Sequence, residues 1–498
     1  MIKNHDELHE ECGVVAIWGD DNAAQLTYYG LHSLQHRGQE AAGIVVRNKS
    51  RKLNIHKGEG LVSEVFNKEK IEKLSGNAAI GHVRYSTAGG GGIMNVQPFL
   101  FRTLDGMMGI AHNGNIVNAN LLKKELEENG SIFNSTSDTE VLGHLIKRET
   151  GRFVDRICKS LEKIDGAFAF VILVEDALYV ARDRYGLRPL SMGRLPSGGY
   201  MFSSETCALD IAGAEYVRDV EPGEIIRVKD GIIKSKKYTE TLPICNKLCA
   251  MEYIYFSRPD SNLDGINVHT ARKTCGKTLF EEAPVEADLV IGVPDSSISA
   301  AIGYSEASGI PYEMGLIKNK YVGRTFIQPT QEMRERGVRM KLSAVSSIVK
   351  GKRVIMIDDS IVRGTTSKRI VKLLKEAGAT EVHVRIASPV ITSPCFYGVD
   401  ISTLEELISH RMNVEELCQF IEADSLAFIS MEGLKKSVKH DMDGNCDLCM
   451  SCFSGNYVTK LYDSIDRANK DEKYYKTPFN GSFFLIYITS HNIYYVIF

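Results

Sequence analysis

No single charge dominates this 498-residue chain: 60 Lys and Arg stand against 63 Asp and Glu, leaving a formal net charge of -3. That balance excludes the global basic field with which nucleic-acid-binding proteins gather phosphate, so small anionic or polar ligands fit better. Long hydrophobic runs are missing too. The final apolar stretch, SFFLIYITSHNIYYVIF, is 17 residues long and broken by Thr-Ser-His-Asn, short of the ~20 that a membrane helix needs. The opening MIKNHDELHEE lacks the basic start and apolar centre of a secretory signal, so the chain is expected to stay in the reducing cytoplasm, where disulfides do not persist. Internal repeats and low-complexity linkers are absent. Cysteine is not scarce: there are 11, an odd number, and Cys446, Cys449 and Cys452 fall in one C-x-x-C-x-x-C run. Metal binding or catalysis is a better use for several of them than cross-linking.

The pattern along the chain changes style once. From residue 13 to about residue 230, short β-prone runs (GVVAIWG, AAGIVV, AAIGHVRYST, FAFVILVED, LYVARD, GEIIRV) alternate with helical stretches near 121–128 and 139–148, which reads as α+β. Beyond Cys249 the strands become continuous apolar runs beside helical periodicity: ADLVIGVP, KRVIMIDD and TEVHVRIASP. That pattern predicts a doubly wound α/β domain with a parallel sheet. The join falls near 232–262.

The clearest chemistry lies in VIMIDDSIVRGTTSKRIVKLLKEAGA. A buried strand over 354–357 ends in Asp358 and Asp359, and a loop with Gly364, Thr365, Thr366 and Ser367 opens an amphipathic helix. A helix start rich in free N–H groups and hydroxyls suits a phosphate monoester, and ligands of parallel sheets bind outside the carboxyl ends of the strands. Two adjacent carboxylates there suit ribose hydroxyls with Mg²⁺ close by. Upstream, 318–341 is basic and rich in breakers, including Arg324 and Lys341, as a loop closing over a pyrophosphate leaving group would be. VPDSSISAA adds Asp295, Ser296 and Ser297 at the end of another strand.

VIMIDDSIVRGTTS resembles the signature of type I phosphoribosyltransferases. The resemblance implies that Asp358, Asp359, Ser360, Arg363, Gly364, Thr365, Thr366 and Ser367, with Arg324 and Lys341, bind 5-phosphoribosyl pyrophosphate, and that Ser296, Asp358 and Asp359 hold Mg²⁺.

In the first half, polar residues cluster at the ends of apolar runs: LQHRGQEAAG, GHVRYSTAGGGG, AHNGNI and STSDTEV. Arg84 suits a carboxylate, Asp138 an ammonium, and Asn113 with the Gly114 N–H an oxyanion, which together describe an amino-acid site. This set, following Cys12-Gly13, resembles the class II glutamine amidotransferase domain of the N-terminal-nucleophile hydrolases. In that family the cysteine is the first residue of the mature chain and its α-amino group, with a reference pKa of about 7.7–8.0, serves as the general base. The resemblance implies removal of 1–11 as a propeptide, attack by Cys12 on the glutamine amide, and Arg37 and Gly38 shaping the nucleophile's surroundings. Asn113 and Gly114 would then stabilise the oxyanion, while Arg84 and Asp138 would hold the α-carboxylate and α-amino groups.

The combination is similar to the glutamine phosphoribosylpyrophosphate amidotransferases, as are MEYIYFSRPDS, KNKYVGRTFIQP and GVRMKLSAV. The implied architecture has two domains. Residues 12–240 form a four-layer αββα sandwich and 241–457 a type I phosphoribosyltransferase with a parallel sheet, followed by a tail, 458–498, for which no role follows. The implied reaction yields 5-phosphoribosylamine, glutamate and pyrophosphate, opening de novo purine synthesis, with purine nucleotides as feedback inhibitors and a homotetramer as the assembly. On spacing alone, four thiolates suit zinc and an iron–sulfur cluster equally. Resemblance to the propeptide-bearing branch implies a 4Fe-4S cluster on Cys249, Cys395, Cys449 and Cys452, with Cys245 and Cys446 spare. Sugar-isomerising aminotransferases share the first domain but lack the signature at 354–367. A regulator sensing phosphoribosyl pyrophosphate would need a DNA-binding domain, which the sequence does not display.

Overall fold

The computed structural model describes residues 12–85, 92–319, 342–401, 403–438 and 447–462, and the backbone of three short strands beyond 475. The leader 1–11, the glycine-rich 88–91, Arg324, Lys341 and Cys446 lie outside the described residues.

The first strand, β1 (Gly13–Trp18), is buried on both faces. Val15 and Ile17 pack towards Leu31 of helix α1 (Ala23–Ser33), whereas Val14, Ala16 and Trp18 face a second sheet. This alternation follows from the two-residue period of a strand. Each Val or Ile so buried contributes about 1.5–3 kcal/mol, so the register of β1 is strongly specified and Cys12 is fixed at its start. The first sheet is antiparallel and seven-stranded, with β1 between Tyr200–Ser203 and β3 (Ala78–Arg84); β2 (Ala41–Arg47) pairs with the other edge of β3. The second sheet has six antiparallel strands centred on β4 (Gly106–Ile116) and β5 (Gly166–Val174). Helices Ala119–Glu128, α2 (Thr139–Arg148) and Phe153–Lys163 cover its outer face through Leu122, Val141, Leu145, Ile157 and Leu161. The layers are therefore helix, sheet, sheet, helix, as the αββα expectation requires.

The second half is built on a four-stranded parallel sheet in the order β6 (Leu289–Gly292), β7 (Arg353–Asp358), β8 (Glu381–Ile386), β9 (Ser425–Phe428). Helices α3 (Val268–Glu282), α4 (Ile298–Ser308) and α5 (Thr365–Glu376) flank it. Strand β9, within DSLAFIS, was not foreseen. It is an edge strand with all four residues only half-buried, so it lacks the apolar run that marks its neighbours. The tail forms a three-stranded antiparallel meander over Lys476–Phe479, Ser482–Thr489 and Asn492–Ile497. Among the described residues no helix is long and apolar enough to cross a membrane.

Candidate active sites

Gly13 pairs with Val83 across β1 and β3, which sets Cys12 beside Arg84 at the end of the first sheet. The Cys12 thiol is almost buried and points to the Tyr85 carbonyl at 3.9 Å. Its φ of 70° is sparsely populated for a residue with a Cβ. Gly38 is pressed against the same strand end: a Cβ there would lie 2.6 Å from the Arg84 amide nitrogen. From the opposing sheet comes Asn113, fully buried on β4. Ser204 Oγ links it to β1, accepting from the Val14 N–H at 3.0 Å and from Asn113 Nδ2 at 3.4 Å. Asn113 Oδ1 is buried with no hydrogen-bond partner among the described residues. Gly114 follows at φ 137°, and a Cβ at that position would meet the Ala167 carbonyl oxygen at 2.1 Å, so only glycine fits.

Asp138, immediately before α2, accepts from the Ile116 N–H at 2.8 Å and so lies against the end of β4. Glu140 fixes the approach to it by accepting from the Asn134 and Ser135 N–H groups and the Ser135 hydroxyl at 2.9, 2.8 and 2.6 Å. Burial alone would raise the Glu140 pKa, but His144 and these donors outweigh it and hold the carboxyl at about 2. Two buried histidines support the floor. His112 stacks on Phe170 at 4.3 Å and contacts Thr139 Oγ1 at 3.1 Å, while burial drives the His82 pKa down to about 3. Both are neutral packing elements at neutral pH. The structure thus brings Cys12, Gly38, Arg84, Asn113, Gly114 and Asp138 together. The Arg37 side chain is directed elsewhere: it is buried in a network with Glu205, Glu252 and Ser257. Sequence reading missed Ser204, Glu205 and Glu252, which have no local motif and meet Cys12 and Arg37 only through the fold.

In the second half, Gly292 pairs with Ile357, so the loops after β6 and β7 lie side by side at the carboxyl end of the sheet. Ser296 Oγ donates to Asp359 Oδ2 and Ser297 Oγ to Asp358 Oδ1, the latter at 3.3 Å. Asp358 and Asp359 are nearly buried. Ser360 Oγ donates to Asp359 Oδ1 at 2.6 Å. Gly364 turns the chain with φ 73°, and Thr365, Thr366 and Ser367 form the first turn of the 12-residue helix α5. Arg363 is turned to Glu406, with which it pairs at 3.0 Å. Hard oxygen donors from Ser296, Asp358 and Asp359 are the chemistry that Mg²⁺ takes.

Four thiols assemble where the halves meet. Cys249 and Cys449 face one another across a parallel bridge, and the Cys452 carbonyl accepts from the Thr392 and Ser393 N–H groups at 2.9 and 3.0 Å, next to Cys395. The Tyr397 N–H donates to Cys395 Sγ at 3.4 Å. All four are unbridged. Burial raises each thiol's pKa, that of Cys395 to about 11, and the neighbouring thiols add to the shift in Cys249, Cys395 and Cys452. Burial and mutual repulsion oppose ionisation of these thiols, and a bound cation would relieve both, so the donors fit a metal centre in chemistry. Cys245 is only half-buried beside this group.

Comparison with known proteins matches a glutamine amidotransferase domain at residues 89–210 and a phosphoribosyl transferase domain at 270–390. Joined in one chain, these two domains define a glutamine-dependent glycosyltransferase. The chain is 61% identical over 467 residues to an amidophosphoribosyltransferase of Bacillus subtilis (strain 168), covering 93% of this chain and 97% of that protein. To the Staphylococcus aureus (strain N315) protein of the same name it is 54% identical over 463 residues, covering 92% and 93%. The solved glutamine phosphoribosylpyrophosphate amidotransferase from B. subtilis complexed with ADP and GMP superposes with a TM-score of 0.86 at 59% identity, over 91% of this chain and 98% of that one. A structure described as the allosteric regulatory enzyme of purine biosynthesis gives 0.87 at 60%, over 91% and 97%. The chain belongs to the amidophosphoribosyltransferase family.

Proposed function

We propose that the chain hydrolyses the glutamine side-chain amide in its first half and passes the ammonia to 5-phosphoribosyl pyrophosphate in its second, forming 5-phosphoribosylamine, glutamate and pyrophosphate as the first step of purine synthesis in the cytoplasm. The convergence of Cys12, Arg84, Asn113, Gly114 and Asp138 carries this reading, because no single one of them specifies glutamine. Cys12 Sγ attacks the amide carbon. The α-amino group freed by removing 1–11 takes the thiol proton and returns it to the leaving nitrogen. The left-handed φ of Cys12 supports a junction that is to be cut, since a strained backbone is kept where function uses it. Asn113 Nδ2 and the Gly114 N–H stabilise the tetrahedral oxyanion. Arg84 receives the α-carboxylate and Asp138 the α-ammonium group. Gly38, lacking a side chain, lets the strand end that carries Arg84 pack closely.

At the second site the N–H groups and hydroxyls of Thr365, Thr366 and Ser367 bind the 5-phosphate and Asp358 and Asp359 the ribose hydroxyls, with Ser360 steadying Asp359. Ammonia bonds to C1 as the C1–oxygen bond to pyrophosphate breaks. Ser296, Asp358 and Asp359 would hold Mg²⁺, which when bound would supply neutralising charge for pyrophosphate. Arg324 and Lys341, in the basic segment, complete the pyrophosphate site in this reading. The ion pair to Glu406 leaves Arg363 an indirect part, holding the loop before Gly364.

For Cys249, Cys395, Cys449 and Cys452 we favour 4Fe-4S over zinc. The resemblance to the cluster-bearing branch supports this choice, because four thiolates suit either group in chemistry. These cysteines would hold the cluster, which would supply a structural tie between three segments of the chain. Purine nucleotides are the expected inhibitory ligands, in a homotetramer. The test is substitution of Asp358 and Asp359 by Asn. Synthesis with either glutamine or ammonia is lost and glutaminase activity remains, whereas retained ammonia-dependent synthesis contradicts the assignment.

A further inference from the structure

Arg188 is among the largest fully buried side chains in the protein, and it closes the turn DRYGLR, residues 183–188. Asp183 makes that turn rigid. Its carboxylate accepts from the Phe168 N–H at 3.1 Å, the Tyr185 N–H at 2.9 Å and the Leu187 N–H at 3.1 Å, and Gly186 supplies a left-handed φ of 61°. The carbonyls of the turn serve the second half. Those of Arg184, Tyr185 and Leu187 accept from the N–H groups of Cys245, Lys247 and Cys249 at 3.0, 2.6 and 3.2 Å. The alternate peptides of that segment turn to 447–449, the Asn246 and Leu248 carbonyls accepting from the Asp447 and Cys449 N–H groups at 3.1 and 2.9 Å. Cys249 is therefore docked on the turn directly, and Cys449 one segment further out.

The Cys395 loop is reached by side chains instead. Arg188 Nη2 donates to the Tyr397 carbonyl at 2.8 Å, and Asn115 Nδ2, from β4, donates to the Phe396 carbonyl at 2.9 Å. The peptide that Asn115 holds by its carbonyl gives its N–H, that of Tyr397, to Cys395 Sγ at 3.4 Å. Two side chains of the first half thus fix the two carbonyls that follow Cys395. Arg188 Nη1 also meets Glu252 Oε1 at 3.2 Å, three residues after Cys249. Burial raises the pKa of Cys249, Cys395 and Cys449, and the Arg188 charge acts against that rise in each. A fixed cation there favours the thiolate form that a metal takes. Groups that hold a metal's ligands in place are worth about 10–100-fold in its affinity.

Resting on the metal centre assigned above to Cys249, Cys395, Cys449 and Cys452, we propose that Arg188 and Asn115 are positioning residues of that centre: both clamp the Cys395 loop to the first half, and Arg188 adds a buried positive charge beside the thiolates. The full-length chain is purified anaerobically as wild type, Arg188→Gln, Arg188→Lys, Asn115→Ala and Arg385→Gln. Iron, sulfide and zinc per chain are measured, then the rate at which metal passes to added EDTA, with Tm as the index of folding. Arg385 is the control: it too is buried, but it bonds the Ala283 carbonyl and Ser425 Oγ in the parallel sheet. Arg188→Gln and Asn115→Ala lose metal about tenfold faster than the wild type or more, and Arg188→Lys falls between Arg188→Gln and the wild type. Arg385→Gln lowers Tm but loses metal at the wild-type rate. Unchanged rates in Arg188→Gln and Asn115→Ala overturn the proposal, as does equal acceleration in Arg385→Gln, which would make the effect one of general stability. Arg188→Lys losing metal as fast as Arg188→Gln overturns the part given to charge. Asn115→Ala decides where Arg188→Gln does not fold. Zinc in place of iron in the wild type overturns the cluster reading alone, and the EDTA rates then judge the same two residues with zinc. A wild-type chain without metal would overturn the centre itself.

Discussion

Replacing Gly114 with Ala tests the oxyanion wall through a single methyl group. The new Cβ would sit 2.1 Å from the Ala167 carbonyl oxygen, 2.7 Å from its carbon and 3.0 Å from His112 Nε2. The carbonyl belongs to β5, whose ladder to β4 runs from Met108 to Ile116, so it cannot swing aside as a flexible side chain would. Relief requires the two strands to part by about 1 Å beside Asn113, on top of the cost of a left-handed φ. The expected destabilisation is about 2–4 kcal/mol, seen as a fall in Tm of roughly 4–16 °C. Displacing an oxyanion donor lowers glutaminase kcat by about 10²–10³. Gly130→Ala is the control. Its φ of 83° imposes the same kind of backbone cost, but nothing lies within 4 Å of the added Cβ, so it costs only ~1–2 kcal/mol and spares both activities. Paired assays with glutamine and with ammonia decide the matter. Gly114→Ala retaining glutaminase within about threefold, or losing ammonia-dependent synthesis to the same degree, would refute the placement of this wall.

Other outcomes follow from the same geometry. Iron and sulfide analysis of anaerobically purified protein should give four of each per chain in a 4Fe-4S site, with both lost in Cys249→Ser; stoichiometric zinc without iron would refute the cluster. Glu140 is held at about 2 by its donors, below its value in the unfolded chain. Its contribution to stability is therefore fully present above pH ~4.5 and is lost as the pH falls towards 2. Glu140→Gln should remove that part of the acid unfolding curve and raise KM for glutamine, because the loop it clamps leads into Asp138; an unchanged acid limb would contradict this. Intact mass of the purified chain should begin at Cys12, and a retained Met1 would end the argument for an α-amino base.

Local pattern carried much of the architecture, and the reasons differ by element. Strand β7 was legible because four consecutive apolar residues end in two aspartates before a glycine and three hydroxyls, a pattern in which every local preference agrees. Strand β9 had no such run. Cys12 was ambiguous alone, since a nearly buried thiol fits a core as well as a nucleophile; Arg84, Asn113 and Asp138 gave it meaning. Arg37 was read as part of the nucleophile's surroundings from its place beside Gly38. Its partners, Glu205 and Glu252, lie 168 and 215 residues further along, and no spacing rule spans that distance. The π-helical turn Glu252–Phe256 that presents Glu252 likewise follows from packing. Arg363 stood within a phosphate motif, yet Glu406 captures it from outside the motif.

The account's central claim is that one chain holds two separable sites, one releasing ammonia and one using it. Cys12→Ala measured with both nitrogen donors tests it most directly. Glutamine-dependent synthesis should vanish while ammonia-dependent synthesis persists at close to the wild-type rate; equal loss of both would contradict the division.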